Sequence, residues 1–280
     1  MLKQRVITAI VVAVVFLLAL FNLDAYSLSL AAAAIVIYAA WEWSDLSGIS
    51  GAPWRLLYTA VVALLLVSVT YLLGLSRTGV LHLEVGHSLL MTIVPWWAIA
   101  LLWVQGYPSS VVLWGSRWGR SVMGFLVLVP TWSAMVLLIH ASHGELLILL
   151  VVSIVALADI GAYFSGRRFG KHKMAPSVSP KKTWEGLLGA VVISIIVVIV
   201  LGVVFKLEPG KWLLLTLMIM TTVLASVLGD LLESMVKRHR GVKDSGNILP
   251  GHGGVLDRVD SLTAALPVFT LIFINSGIQF

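Results

Sequence analysis

An all-α integral membrane protein with about nine transmembrane helices is the fold class this sequence predicts, and three observations predict it. Only 11% of the 280 residues are charged and 59% are hydrophobic, whereas a water-soluble domain is about one quarter charged. The mean hydropathy is +1.01, and the shortage of charge runs along the whole length rather than marking one anchor. Nine apolar segments reach or approach the ~20 residues that a helix needs to cross a bilayer.

The segments lie at 6–23, 28–46, 56–75, 88–105, 121–140, 145–164, 186–205, 211–232 and 262–279. The first follows Met1, Lys3 and Arg5 in the manner of a signal peptide. No small-x-small cleavage site precedes the next apolar run, so it reads as an uncleaved first span. The second, ending in Glu42 and Asp45, and the fourth, carrying Pro95, are the weakest by composition. Asp159 lies inside the sixth near its end, and a carboxylate within a span is by default a functional candidate. No soluble domain of appreciable size fits between the segments. The chain divides into spans over 1–150 and a C-terminal region over 151–280, with long polar loops at 165–183 and 233–260.

Charge sets the expected orientation. With the N-terminus cytoplasmic, sixteen of the 19 Lys and Arg fall on the inner side, and only Arg77, Lys206 and Lys211 fall outside. That split obeys the positive-inside rule and predicts N-in, C-out. It also accounts for the net charge of +6 without nucleic acid as a partner. With no cysteine, disulfides, thiolate catalysis and Cys-based zinc sites are excluded. The eleven tryptophans, among them Trp96, Trp97, Trp114 and Trp118, read as an interfacial belt. His82, His87, His140, His143 and His172 show no metal-ligand spacing.

Both inner loops exceed what topology requires. Asp230, Glu233, Ser234 and Lys237 fall at i, i+3, i+4 and i+7, on one face of a helix leaving the eighth span. Such a stripe is costly in a membrane protein unless it lines a polar cavity. Asp257 and Asp260 share a face if the last helix starts near Leu256. Carboxylate oxygens suit Mg²⁺, which takes one or two of them together with substrate phosphate oxygens; Asp230 and Asp257 are the preferred ligands. Pro250-Gly-His-Gly-Gly254 is a turn whose backbone N–H groups could approach an anion, followed by a helix N-terminus. Lys181, Lys182 and Thr183 lead into the seventh span and would complete a positive bowl for a triphosphate. No Walker-type motif occurs, so a P-loop ATPase is not supported.

At these residues the chain resembles the phosphatidate cytidylyltransferases, or CDP-diacylglycerol synthases, of bacterial type. Every fixed position of the family signature is met, by Ser234, Lys237, Arg238, Lys243, Asp244, Pro250, His252, Gly253, Gly254, Asp257, Arg258 and Asp260. The upstream DIGAYFSGRRFGK and SPKKTWEG blocks also look like the family, so the likeness covers roughly 156–261. The resemblance implies an enzyme of eight or nine helices that uses CTP and Mg²⁺ to turn phosphatidate into CDP-diacylglycerol and pyrophosphate, with a second cation as an option. It implies catalysis by Asp230, Lys237, Asp257 and Asp260. Phosphate contacts are implied for Lys181, Lys182, Ser234, Arg238, Lys243, His252, Gly253, Gly254 and Arg258. It further implies a multi-pass protein of the bacterial cytoplasmic membrane, with the site at the cytoplasmic ends of the C-terminal helices and a homodimer left open. The alternatives are a CTP-using lipid kinase and, from another class, a cation transporter, against which stand the absence of a repeat and the one-sided placement of the polar groups.

Overall fold

The computed structural model describes residues 2–77 and 79–278, and these form eleven α-helices and one short β-hairpin. Eight stretches are long and apolar enough to cross a membrane. They are α2 (Ala25–Leu46), α3 (Ala52–Leu73), the pair α4 (Leu83–Met91) and α5 (Ile93–Gln105), α7 (Arg117–Ile139), α8 (Gly144–Phe169), α9 (Trp184–Val204), α10 (Trp212–Arg240) and α11 (Leu256–Ser276). The remaining expected segment is α1 (Leu2–Asn22), whose apolar stretch Val6–Asn22 is shorter, and α6 (Val111–Trp114) is a single turn. The side chains of Lys3 and Arg5, counted above on the inner side, lie outside those described, as does Gln279 at the end of the expected ninth span.

Helix α7 is the hub, packing against α2, α3, α4, α8 and α11. Its inward face buries Met123, Val127, Leu128 and Trp132, while α9 on the periphery exposes Leu188, Val192, Ile195 and Ile199. An apolar face turned away from the bundle fits lipid, since hydrocarbon solvates it as well as a protein core does. Glycines let α8 and α9 approach closely: a Cβ on Gly161 would meet Ile193, and one on Gly166 would meet Thr183 and Gly186. Between α4 and α5 the helix breaks at Thr92. Pro95, three residues on, lacks the N–H that would have bonded the Met91 carbonyl.

The tryptophans depart from the expected belt. Trp118 is exposed, but Trp43, Trp114 and Trp132 are fully buried and Trp96 and Trp97 nearly so. The indole N–H groups of Trp43 and Trp132 donate to the carbonyls of Arg120 (2.8 Å) and Ser29 (3.0 Å). A large ring can fill the core once its single donor is satisfied.

One end of the bundle collects the polar elements. The C-terminal ends of α2, α8 and α10 meet there with the N-terminal ends of α7, α9 and α11: Arg120 Nη1 donates to Leu46 O (2.8 Å), Arg240 Nε to Asp45 O (2.9 Å), and Lys182 reaches Asp230. Thr8 of α1 also donates to Pro250 O at this end. The loop expected at 165–183 is partly ordered: α8 runs to Phe169, and β1 (Lys173–Ala175) pairs antiparallel with β2 (Ser179–Thr183). Glu185 fastens the hairpin base by accepting from Lys171 N (3.1 Å) and His172 N (3.2 Å). Thr183 Oγ1 caps α9 by accepting from Gly186 N (3.1 Å). The loop expected at 233–260 is irregular only between α10 and α11.

Candidate active site

Two lysine–carboxylate contacts organise the polar end. Lys182, near the end of β2, places Nζ 2.7 Å from Asp230 Oδ2 and donates to Val227 O (3.3 Å). Lys237, on α10, places Nζ 2.7 Å from Asp257 Oδ1 on α11 and 3.0 Å from Glu233 Oε1 one turn back. The expected stripe on α10 is therefore real, with Glu233, Ser234 and Lys237 buried and Ser234 Oγ donating to Asp230 Oδ1 (3.1 Å). In β2 Lys181 is exposed, whereas Lys182 next to it is partly buried and turns to Asp230.

Asp257 sits in the first turn of α11 and is held on both oxygens. Its Oδ2 accepts from Ser245 N (2.8 Å), Ser245 Oγ (3.0 Å) and Gly254 N (2.8 Å), while among the described residues Oδ1 accepts only from Lys237. A carboxylate oxygen has about two lone-pair sites, so Oδ1 retains capacity for a further partner. Asp230 is similar, with one contact on each oxygen. Asp260 lies half-buried one turn on, within electrostatic range of Asp230 and Glu233, and Asp159 within range of Asp230 and Lys182. Glu233 Oε2 is buried without a hydrogen-bond partner among the described residues. Among the described residues, Asp159, Asp230, Glu233, Asp257 and Asp260 thus gather around Lys182 and Lys237, more carboxyl groups than ammonium groups. No three His, Asp or Glu side chains among the described residues close into a ready-made cage.

The Gly-His-Gly-Gly turn builds the wall of a neighbouring basin. A cavity of about 610 Å³ is lined by Lys243, Asp244, Asn247, His252, Gly253 and Arg258, among others. The turn closes through Leu249 N to Gly253 O and His252 N to Leu249 O, both 2.9 Å. Gly251 and Gly253 adopt φ +74° and +84°, which a side chain would disfavour. Of the residues expected to meet phosphates, the structure brings Lys243, His252, Gly253 and Arg258 to this basin and Lys182 and Ser234 to the carboxylates. Gly254 lends its N–H to Asp257. Arg238 goes elsewhere, to the carbonyls of Val178 (3.3 Å) and Val242 (3.2 Å), where it ties the hairpin to the end of α10.

Beside the lysine–carboxylate contacts runs a second cavity, about 480 Å³ and mainly apolar, lined by residues including Val104, Met174, Val178, Leu224, Leu228 and Val268. Val227, whose carbonyl receives Lys182, also lines it. Sequence reasoning missed two residues here, Glu42 and Ser245. Glu42 is 2% exposed and bonds the start of α11 from the far side of the chain. Its one available signal was a carboxylate inside an otherwise apolar span.

A bundle of apolar helices, eight of them long enough to cross a bilayer, with a carboxylate–lysine cluster at one end, defines a helical integral membrane protein. The model of the cytidylyltransferase family matches residues 3–275. The chain is similar to the phosphatidate cytidylyltransferase of Pseudomonas aeruginosa, 45% identical over 277 residues that cover 99% of this chain and 98% of the relative. It is also similar to that of Haemophilus influenzae, 39% identical over 98% of this chain and 99% of the relative. The protein belongs to the cytidylyltransferase family.

Proposed function

We infer that this protein is a phosphatidate cytidylyltransferase, a nucleotidyltransferase of phospholipid synthesis that joins CTP and phosphatidate into CDP-diacylglycerol with release of pyrophosphate. The observation that carries the reading is that Asp257, paired with Lys237, adjoins Gly253 of the polar basin, while Lys182, paired with Asp230, bonds Val227 of the apolar groove. The two substrates differ in the same way, one water-borne and one held in lipid. An acyl chain in the groove would bring the phosphate of phosphatidate to Lys182, while Lys243, His252 and Arg258 hold the triphosphate in the basin.

A phosphate oxygen of phosphatidate attacks the α-phosphorus of CTP in line. The bond from that phosphorus to the bridging oxygen of the β-phosphate breaks, and pyrophosphate departs with the electron pair. The attacking phosphate is already ionised near neutral pH, so the protein need not supply a strong base. The difficulty is charge, because two anions must meet beside five carboxylates. Phosphoryl-type transfer depends mainly on positioning and on neutralising such charge. Asp230, with one contact on each oxygen, and Asp257, through Oδ1, would hold Mg²⁺, which when bound neutralises phosphate oxygens on both reactants. Lys237 positions Asp257, and Asp260, one turn on, would add a further carboxyl group beside such a cation.

The topology follows from the same placement. We read α1 as a ninth span, the N-terminus and the site as cytoplasmic, and the C-terminus as outside, because the basic residues collect at the site end. Sealed inside-out vesicles of a bacterial inner membrane containing the protein, given cytosine-labelled CTP, phosphatidate and Mg²⁺, are expected to place the label in lipid. Right-side-out vesicles are expected to do so only after permeabilisation. Unlabelled lipid with CTP consumed would indicate a kinase, and labelling by sealed right-side-out vesicles would reverse the topology.

The different placement of the two lysines in β2 makes a second test. Lys182→Met is expected to lower turnover by about 100-fold, the loss typical of one preorganised charge at a reacting phosphate. Lys181→Met, at an exposed position, is expected to leave turnover nearly unchanged. Steady-state assays of both variants in detergent check this, and equal losses would return Lys181 to the site.

A further inference from the structure

Glu42 lies 214 positions before Leu256, in the last turns of α2, yet it occupies the position of a helix cap for α11. The residue that should cap α11, Val255, has no side-chain acceptor to offer. Glu42 Oε1 accepts from Val255 N (3.0 Å) and Oε2 from Leu256 N (2.7 Å), so a carboxylate from another helix meets two of the orphan donors of the first turn. Oε2 also lies 3.1 Å from Ser245 Oγ, and that hydroxyl is 3.0 Å from Asp257 Oδ2. One hydroxyl proton therefore bridges two carboxylates. The fit leaves no spare room: a Cβ on Gly246 or on Gly254 would collide with Glu42 Oε1. Gly254 has no positive φ, so its glycine is required by this approach rather than by backbone conformation.

We propose that Glu42 is the positioning residue for Asp257, holding Ser245 and the first turn of α11 in the arrangement that turns Asp257 Oδ1 toward the reacting phosphates. By this link α2 takes part in the reaction through Asp257. The inference rests on Asp257 belonging to the catalytic pair.

Glu42→Gln keeps the size of the side chain but replaces one acceptor oxygen with an NH₂ group facing an N–H donor. Its kcat is expected to fall by about 10–100-fold, the usual effect of losing an outer partner of a functional carboxylate. KM for phosphatidate and the melting temperature in detergent are expected to stay close to wild type, because the groove and the bundle core are untouched. Amide hydrogen exchange across 245–256 should quicken. Ser245→Ala cuts the bridge while leaving both backbone bonds to Glu42, and should lower kcat to a similar degree; combining the two should cost little more than either alone. Full kcat in Glu42→Gln would overturn the proposal. Should that variant fail to fold, Ser245→Ala decides: lower kcat with unchanged KM supports the link, and wild-type kcat overturns it. A wild-type protein unable to use CTP and phosphatidate would overturn the functional reading as well, and is recognised before any variant is compared.

Discussion

Asp257→Asn is expected to lose turnover by about 10²–10³-fold while the protein still inserts and folds. Both oxygens of Asp257 accept hydrogen bonds, one from Lys237 and the other from Ser245 and Gly254. An amide has one acceptor and one donor end. In one orientation its NH₂ faces the Lys237 ammonium, and in the other it faces two backbone N–H groups. The side chain also loses the charge that balances Lys237 and that would hold a cation. Membrane fractionation and detergent melting check the fold, and product formation from CTP and phosphatidate checks the chemistry. Normal activity in this variant would remove Asp257 from the site.

Lys237→Met carries the largest expected effect on stability. The Lys237 ammonium lies between Glu233 and Asp257, with all three side chains under 10% exposed. Removing one partner of a buried ionic cluster leaves uncompensated charge, at a cost of about 3–5 kcal/mol. The melting temperature in detergent should drop by on the order of 10 °C. Turnover should fall as well, because Asp257 loses the contact that orients Oδ1. Adding Glu233→Gln removes one of the stranded charges and should recover part of the melting temperature. If Lys237→Met melts with the wild type, the pair is not buried as described.

Much of the architecture could be read from the chain because it rests on local patterns. Spanning length and lack of charge locate the helices without reference to partners. The i, i+3, i+4, i+7 stripe from Asp230 to Lys237 needs only the period of one helix, and α10 does continue to Arg240. The start of α11 at Leu256 follows the same logic, with Asp257 and Asp260 in its first turns. The tryptophans were less legible. Composition allows an indole at an interface or in a core, and only a specific carbonyl, such as that of Arg120 for Trp43, makes the core acceptable.

The basic residues show where local reading stops. Lys181 and Lys182 are neighbours with the same chemistry, and in the two-stranded hairpin Lys182 turns toward Asp230 while Lys181 is exposed. Arg238 stands in the signature beside Lys237, yet its guanidinium binds the backbone carbonyls of Val178 in the hairpin and of Val242 just after α10. Glu42 was visible only as a carboxylate that weakened a span. Its partners are more than 200 residues away, and no periodicity connects α2 with α11.

By itself, then, the sequence determined the class of protein and the carboxylates and lysine that share one face of α10. These follow from hydropathy, helical period and the spacing of a short segment, which one element can specify alone. Only the tertiary structure decided which lysine meets which carboxylate, that Asp257 Oδ1 has Lys237 as its partner among the described residues, and that α2 caps α11. Those outcomes depend on buried charges finding counter-charges and donors on other elements, and a buried carboxylate takes the partners that packing brings to it.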